Sequence, residues 1–158
     1  MKGLAFFVGL VALLLTVAVF AQTVASRTDA NEWTLEQRDV LNVFQKYIDA
    51  ALRNNLKEMS TFWHPRLVAW DLGEKSPMNY DEFEKSEGTF FKDYKFKKLT
   101  FEPLSIQVED NTAIIHLRYD MAVVDHAGNE TPDSGNWTAV LAKKDKKWVI
   151  LSNVWKSK

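Results

Sequence analysis

Apolar residues recur at helical spacing through the stretch from residue 35 to residue 52. Thr34 is followed three residues later by Gln37, which is the spacing of a capping box at a helix N-terminus. Asn54 and Asn55 interrupt the pattern and are typical of a helix end. The pattern predicts an amphipathic helix whose apolar face consists of Val40, Leu41, Phe44, Tyr47, Ile48, Ala51 and Leu52.

Two shorter helices are predicted after the first. The second runs from Leu56 through Trp63 and ends before Pro65, because the residue preceding a proline is disfavoured in the helical region. Asn79, with Glu82 three residues later, is predicted to cap the third helix. That helix is expected to carry three rings towards the core, namely Phe83, Phe90 and Phe91.

From Lys95 onward the hydrophobic period changes from helical to two, which predicts strands. Pro103 shifts the parity of the alternation, as a β-bulge does. In the strand at residues 113–123, apolar residues form one face, and the other face is expected to look towards solvent. The solvent face carries His116, Arg118 and Asp120.

Two further strands are predicted at residues 136–143 and 148–155, and a polar loop at residues 128–135 precedes them. An additional short strand is expected at residues 67–71, between the second and third helices. Helices followed by an antiparallel meander predict an α+β domain.

The N-terminus predicts export. Lys2 precedes an apolar run that ends at Ala21, with small residues at a plausible cleavage point, as in a secretory signal peptide. We expect residues 1–21 to be the signal peptide, residues 22–32 a flexible lead-in and residues 33–158 a single domain of a periplasmic or secreted protein. The alternative is an uncleaved membrane anchor, because the run is about long enough to cross a bilayer; after cleavage no membrane association is expected.

Composition excludes several classes of function. The net charge of −1 gives no basis for binding nucleic acid. The chain has no cysteine, and its three histidines lack the spacing of metal ligands, so neither a disulfide framework nor a metal or other cofactor is expected. Ten Phe, six Trp and four Tyr supply enough aromatic surface for a core and for the lining of a cavity.

The order of a long helix, two short helices and a sheet ending in WTAVLAKKDKKWVILSNVW resembles the nuclear transport factor 2-like superfamily, which includes SnoaL-like and ketosteroid isomerase proteins. The resemblance covers about residues 35–156. It implies a cone-shaped fold in which three N-terminal helices pack on a strongly curved, mainly antiparallel sheet. It also implies a pocket at the open end of the cone, which is the usual site of a small apolar ligand.

The same resemblance implies two catalytic positions. Laid on the isomerase branch, the segment YIDAALRNNLKEMSTFWHPRLVAWDLG places Tyr47 at the oxyanion-donating tyrosine and Asp71 at the aspartate that moves the proton. The branch has a second acid on a late strand, whereas the stretch around Trp137 has none. The alternative interpretation makes Tyr47 a core tyrosine and Asp71 a residue that closes a turn.

We therefore expect an exported protein that binds a small hydrophobic molecule and is non-catalytic or weakly catalytic. The enzymatic alternative is an isomerase or lyase with Asp71 as general base and Tyr47 as oxyanion donor. Placement near the expected mouth of the cone predicts that the ligand pocket is lined by Trp63, His64, Trp70, Tyr80, Phe91 and Tyr119.

An assembly function is the second alternative. The layout is similar to the association domain of calcium/calmodulin-dependent protein kinase II, which uses this fold for oligomerisation. Both faces of the last strand are apolar, with Val149, Leu151 and Trp155 on one parity and Trp148, Ile150 and Val154 on the other. An apolar outer face is unfavourable in water, so a homodimer through the sheet is expected.

Overall fold

The computed structural model describes residues 33–158. The predicted signal peptide and lead-in lie outside these residues and stay predictions. The described part contains three helices and six strands, in the order α1 (Leu35–Leu52), α2 (Leu56–Ser60), β1 (Trp63–Asp71), β2 (Met78–Asn79), α3 (Tyr80–Asp93), β3 (Tyr94–Glu109), β4 (Thr112–Asp125), β5 (Glu130–Lys144) and β6 (Lys147–Ser157).

Helix α1 begins where the capping box predicts. The Gln37 backbone N–H donates to Thr34 Oγ1 at 3.3 Å, and the Thr34 backbone N–H donates to Gln37 Oε1 at 2.9 Å. These bonds satisfy N–H groups that the first helical turn leaves without partners. Gln37 Nε2 also donates to the Ile106 carbonyl at 2.8 Å, which attaches the start of α1 to β3. The apolar face packs on the sheet, with Val40 and Phe44 fully buried.

Helix α2 is shorter than predicted. It ends at Ser60, and Trp63 is the first residue of β1 rather than the last of a helix. Trp63 is buried and pairs with Ile150 of β6, so the sheet satisfies its backbone in place of another helical turn. The predicted strand at residues 67–71 is correspondingly extended towards its N-terminus.

Helix α3 has the predicted cap. The Glu82 backbone N–H donates to Asn79 Oδ1 at 3.1 Å, and the Asn79 backbone N–H donates to Glu82 Oε2 at 2.9 Å. The helix continues through Gly88 to Asp93, with Phe83 buried against the sheet side. A capping box and packed rings therefore outweigh the modest helix penalty of one glycine.

The six strands form one sheet in the order β2-β1-β6-β5-β4-β3. Only β1 and β6 are parallel to each other, and the remaining neighbours are antiparallel. The sheet is curved and unclosed, and the helices precede it in the chain, so the predicted α+β cone is confirmed. The predicted bulge is present as a register shift between Pro103 and Ser105.

Strand β5 begins earlier than predicted. The predicted loop at residues 128–135 is strand from Glu130 onward and pairs with β4 throughout. Its pairing with β6 starts only at Gly135, so Pro132 lies where the strand has a ladder partner on one side. A proline lacks the N–H for a second ladder and is tolerated in such an edge segment.

The outer face of β4 is polar and exposed, as predicted. His116, Arg118 and Asp120 alternate there with buried apolar residues. Arg118 pairs with Glu102 at 2.9 Å, and the ion pair between Asp120 and Lys98 has a separation of 2.6 Å. These ion pairs are exposed and contribute little to stability.

Strand β6 changes parity part-way along. Val140 pairs with Ser152 whereas Leu141 pairs with Ile150, so Leu151 is an extra residue in β6. The predicted grouping of Trp155 with Val149 and Leu151 is therefore wrong. A bulge moves every following side chain to the opposite face, which places Asn153 and Trp155 on the concave side of the sheet, where both line a cavity.

No helix within residues 33–158 has both the length and the apolar character needed to cross a bilayer.

Candidate functional site

A cavity of about 320 Å³ lies between helices α1 and α3 and the concave face of the sheet. Most of its wall is aromatic or aliphatic. The rings in the wall are Tyr47, Phe83, Phe90, Phe96, Tyr119, Trp137 and Trp155. The remaining side chains are of two kinds: the small or aliphatic Ala51, Met59, Leu99 and Met121, and the polar or acidic Asp71, Ser86, Glu87, Asp133, Asn153 and Ser157.

Three of the predicted site residues lie on this cavity. Tyr47 comes from α1, Asp71 from the end of β1, and Tyr119 from the inner face of β4. The helical spacing on α1 and the alternation on β4 place the two tyrosines on the inner side. The structure therefore brings the predicted phenol and carboxylate to one cavity.

The other five predicted pocket residues are absent from the cavity wall. Trp63 belongs to the core and packs on Phe83 with ring centroids 4.9 Å apart, and Tyr80 packs on Trp63 at 5.8 Å. Phe91 is buried beside Phe96. Aromatic content alone does not distinguish rings that fill a core from rings that line a hollow.

The remaining two of those five residues, His64 and Trp70, lie on β1 but away from the cavity. His64 is in the segment where the register between β1 and β6 shifts, and its Nδ1 accepts from the Arg66 backbone N–H at 3.0 Å. Trp70 alternates with the buried Ala69, and its indole N–H donates to the Glu74 carbonyl at 3.2 Å. Both side chains have local structural roles.

Glu87 is a cavity residue that the sequence interpretation missed. It lies on the α3 face formed by Phe83, Ser86, Glu87 and Phe90, all four of which line the cavity. Burial raises the pKa of Glu87 to about 7, because an apolar surrounding disfavours the charged carboxylate. The spacing 83, 86, 87, 90 is the signal that identifies it, because it places a glutamate on the helix face that carries Phe83 and Phe90.

Asn153 is the second residue that was missed. Its side chain is 1% exposed, and its Oδ1 accepts the indole N–H of Trp137 at 3.1 Å. An indole nitrogen only donates, which fixes the oxygen on that side of the amide. Nδ2 has no hydrogen-bond partner among the described residues. The wall thus contains a buried donor without an acceptor.

A hydrogen-bonded cluster occupies another part of the wall. The Tyr119 hydroxyl donates to Asp133 Oδ2 at 3.0 Å and lies 3.1 Å from Ser157 Oγ, which in turn donates to Asp133 Oδ2 at 3.0 Å. Burial and the charges of Asp133 and Asp71 raise the pKa of Tyr119 to about 12, against a lowering by the bond with Ser157. Asp133 falls in the predicted loop, which explains why it was missed.

Tyr47 and Asp71 differ in their surroundings. Burial, followed by the charge of Glu87, raises the pKa of the Tyr47 phenol well above its ordinary value, so the phenol is a hydrogen-bond donor at neutral pH. Asp71 Oδ1 accepts the Gly73 backbone N–H at 2.8 Å. Asp71 therefore closes a turn and also lines the cavity, so its two interpretations from the sequence are compatible.

The family model described as the SnoaL-like domain matches residues 40–154, which is most of the chain. The chain belongs to the SnoaL-like family. This membership places it in the nuclear transport factor 2-like superfamily, as the order of elements indicated. No curated protein matches the sequence of this SnoaL-like protein.

Solved structures share the fold of this SnoaL-like domain at low identity. A conserved protein from Planctomyces limnophilus has a TM-score of 0.73 and 11% identity, over 78% of this chain and 96% of that one. A ketosteroid isomerase-like protein from Erwinia carotovora has a TM-score of 0.69 and 16% identity, over 79% of this chain and 98% of that one. A nuclear transport factor 2-like protein of unknown function from Shewanella oneidensis has a TM-score of 0.64 and 18% identity, over 77% and 99%.

The chemistry that the site offers follows from its donors and acids. The hydrogen-bond donors on the wall of this SnoaL-like domain include the Tyr47 phenol and the Asn153 amide. The wall also has three carboxyl groups, from Asp71, Glu87 and Asp133. The stretch around Trp137 has no acid, but α3 contributes Glu87 and β5 contributes Asp133 to the same wall. Such a site can orient a small molecule and can exchange a proton with it.

Proposed function

We propose that this protein is an exported binding protein that holds a small, largely apolar organic molecule in the cavity. Support comes from the volume of about 320 Å³, which lies within the roughly 300–1,000 Å³ of small-molecule sites. Further support comes from the wall, since aromatic rings with a few polar groups are typical of such sites.

The unpartnered amide of Asn153 carries this proposal. A buried N–H without an acceptor costs roughly 1–3 kcal/mol. A ligand with a carbonyl, ether or hydroxyl oxygen would remove that cost on binding. We therefore expect the ligand to combine an apolar body with one hydrogen-bond-accepting oxygen, which is received by Asn153 Nδ2.

Tryptophan fluorescence tests the proposal, because Trp137 and Trp155 line the cavity. Titration with neutral aromatic and steroid-like ketones is expected to quench the emission saturably, and the parent hydrocarbons are expected to bind more weakly. Asn153→Asp keeps an oxygen for the Trp137 indole but removes the free N–H, so Kd for the ketones should rise about tenfold.

Asn136→Asp is the matched control, because it makes the same change on an exposed position of β5. It should leave ketone binding unchanged. An absence of saturable quenching with every ligand would reject the binding function.

The second candidate function is proton transfer at a carbon next to a carbonyl. It is favoured by the position of Tyr47 and Asp71 on one cavity. In this role Asp71 would take the proton, and the Tyr47 phenol would donate to the developing oxyanion.

Asp71→Asn tests that candidate on enolisable ketones. The amide cannot accept the proton, so turnover is expected to fall about a hundredfold or more. Asp39→Asn, an exposed aspartate on α1, is the control for the loss of one negative charge. Equal turnover of the Asp71 variant and the parent would remove Asp71 as the base.

The homodimer through the outer face of the sheet remains part of the proposal. Val68 is 45% exposed on β1, and the half-buried Val140 and Val154 lie on the outer sides of β5 and β6. A partner subunit would remove this apolar surface from water. Light scattering measures the mass, and a monomer at micromolar concentration would contradict the dimer.

A further inference from the structure

The charged groups on the cavity wall all have one sign. Asp71 comes from β1, Glu87 from α3 and Asp133 from β5. No lysine, arginine or histidine belongs to the wall among the described residues. An anionic ligand would have to approach these carboxyl groups in a partly desolvated hollow, where repulsion between like charges is strong.

The three carboxyl groups differ in the hydrogen bonds that they accept from the rest of the protein. Asp133 accepts from Tyr119 and Ser157, and Asp71 accepts from the Gly73 backbone. Within residues 33–158, the Glu87 carboxyl group has no ion pair or hydrogen bond. The acids also form no group that could hold a metal ion in that part of the chain. Glu87 is therefore the acid that is free to receive a ligand.

Two further observations point to a ligand. Asn153, which is 1% exposed on the same wall, has an amide N–H without a partner. Rings also surround the cavity, and Phe90 and Phe96 lie 5.3 Å apart on the wall that contains Glu87. Aromatic faces attract organic cations, most strongly where water is excluded.

We propose that the ligand is an organic amine that also carries an accepting oxygen: its protonated nitrogen pairs with the Glu87 carboxylate, the oxygen accepts from Asn153 Nδ2, and its apolar body packs among the cavity rings. This inference rests on the proposed binding function and specifies the charge of the ligand. The acidic wall then selects ligands by charge: cations bind most tightly, neutral molecules bind less tightly, and carboxylates are excluded by repulsion.

A series of three probes with one framework tests the inference. Phenethylamine, phenethyl alcohol and phenylacetate differ mainly in charge, and calorimetry or tryptophan quenching gives their Kd values with the full mature protein. Phenethylamine is expected to bind about tenfold more tightly than the alcohol, and phenylacetate is expected to bind most weakly.

Glu87→Gln identifies the group that recognises the amine. It removes the charge at nearly constant volume, so Kd for phenethylamine should rise about tenfold while Kd for phenethyl alcohol stays the same. Glu84→Gln makes the same change on α3 at a position outside the cavity wall and should alter neither value.

The possible results separate the two proposals. If the alcohol or phenylacetate binds as tightly as the amine, or if Glu87→Gln leaves amine binding unchanged, the amine inference is overturned and the binding function stands. If none of the three probes nor any ketone binds, the binding function fails and the amine inference fails with it. The comparison of the probes on the parent protein does not depend on the folding of any variant.

Discussion

Replacing Gly135 by alanine is expected to destabilise the protein by about 3 kcal/mol, the upper part of the range for overpacked sites, and to lower Tm by roughly 10 °C. A Cβ at this position would overlap the backbone carbonyl of Lys156 on β6 and would lie 2.8 Å from the Tyr119 hydroxyl. The carbonyl belongs to the neighbouring strand and cannot move away without breaking the ladder. Thermal or urea unfolding measures the loss.

Gly88→Ala is the control, because it makes the same change at a glycine where a Cβ has room. Its Cβ would meet only Leu56 Cδ2, at the ordinary distance of 3.5 Å, and the position lies inside α3. Alanine there should stabilise the protein by about 1 kcal/mol, because it restricts the unfolded chain and favours the helix. If Gly135→Ala were as stable as the parent, the close approach of β5 and β6 beside Tyr119 would not exist in solution.

Glu87→Gln is expected to stabilise the protein by about 2 kcal/mol above neutral pH and to have almost no effect below about pH 4. Burial raises the pKa of Glu87 from 4.5 to about 7. As pH rises through this interval, the unfolded chain ionises the carboxyl group first, and the folded state retains the proton. The parent therefore loses stability between pH 4.5 and about 7, and the loss is complete above that interval.

The difference in free energy of unfolding between parent and variant, measured at several pH values, isolates this group from the other titrations. The titratable residues that share the cavity with Glu87 are Tyr47, Asp71, Tyr119 and Asp133, and all remain in both proteins. Glu84→Gln, on α3 but outside the cavity wall, is the control for the loss of one carboxyl group. A difference that is constant across the range would mean that the Glu87 carboxyl group is well solvated.

The same titration links stability to the proposed ligand. Because burial raises the pKa of Glu87 to about 7, the folded protein retains the proton on this carboxyl group until the pH approaches neutrality. An amine would stabilise the ionised carboxylate and lower its pKa, so amine binding should release a proton near neutral pH. Stability is thus lowest under the conditions in which the binding group is charged and available.

The long helix and the meander could be predicted because their signals are local. The Thr34 capping box and the apolar face from Val40 to Leu52 specify α1 without reference to the rest of the chain. The alternation around Leu117 likewise specifies β4. In both cases the backbone propensity, the cap and the burial pattern favour the same structure.

The errors in the fold concern segments whose conformation depends on distant partners. Trp63 continues a helical pattern, but its pairing with Ile150 assigns it to β1. Residues 130–134 contain a proline and polar side chains, and they are strand only because β4 extends beside them. Local sequence does not contain the neighbour that decides such cases.

The site was predicted to the extent that it depends on regular periodicity and on the family resemblance. Tyr47 and Asp71 follow from the family resemblance, and Tyr119 follows from its expected placement near the mouth of the cone. Glu87 was missed because polar residues on helices are usually assigned to solvent. Asn153 was missed because the extra residue Leu151 reverses the parity of β6 just before it.

Leu151, the extra residue of β6, separates a part of the strand that packs in the core from a part that lines the cavity. Before Leu151, the side chains of Trp148 and Ile150 are buried in the hydrophobic core. After it, the side chains of Asn153 and Trp155 line the cavity. If Leu151 were instead paired with Val140 in regular register, Ser152 and Val154 would face the cavity in place of Asn153 and Trp155. The bulge therefore determines which side chains of β6 line the cavity, while the core contacts of the strand before it do not depend on it.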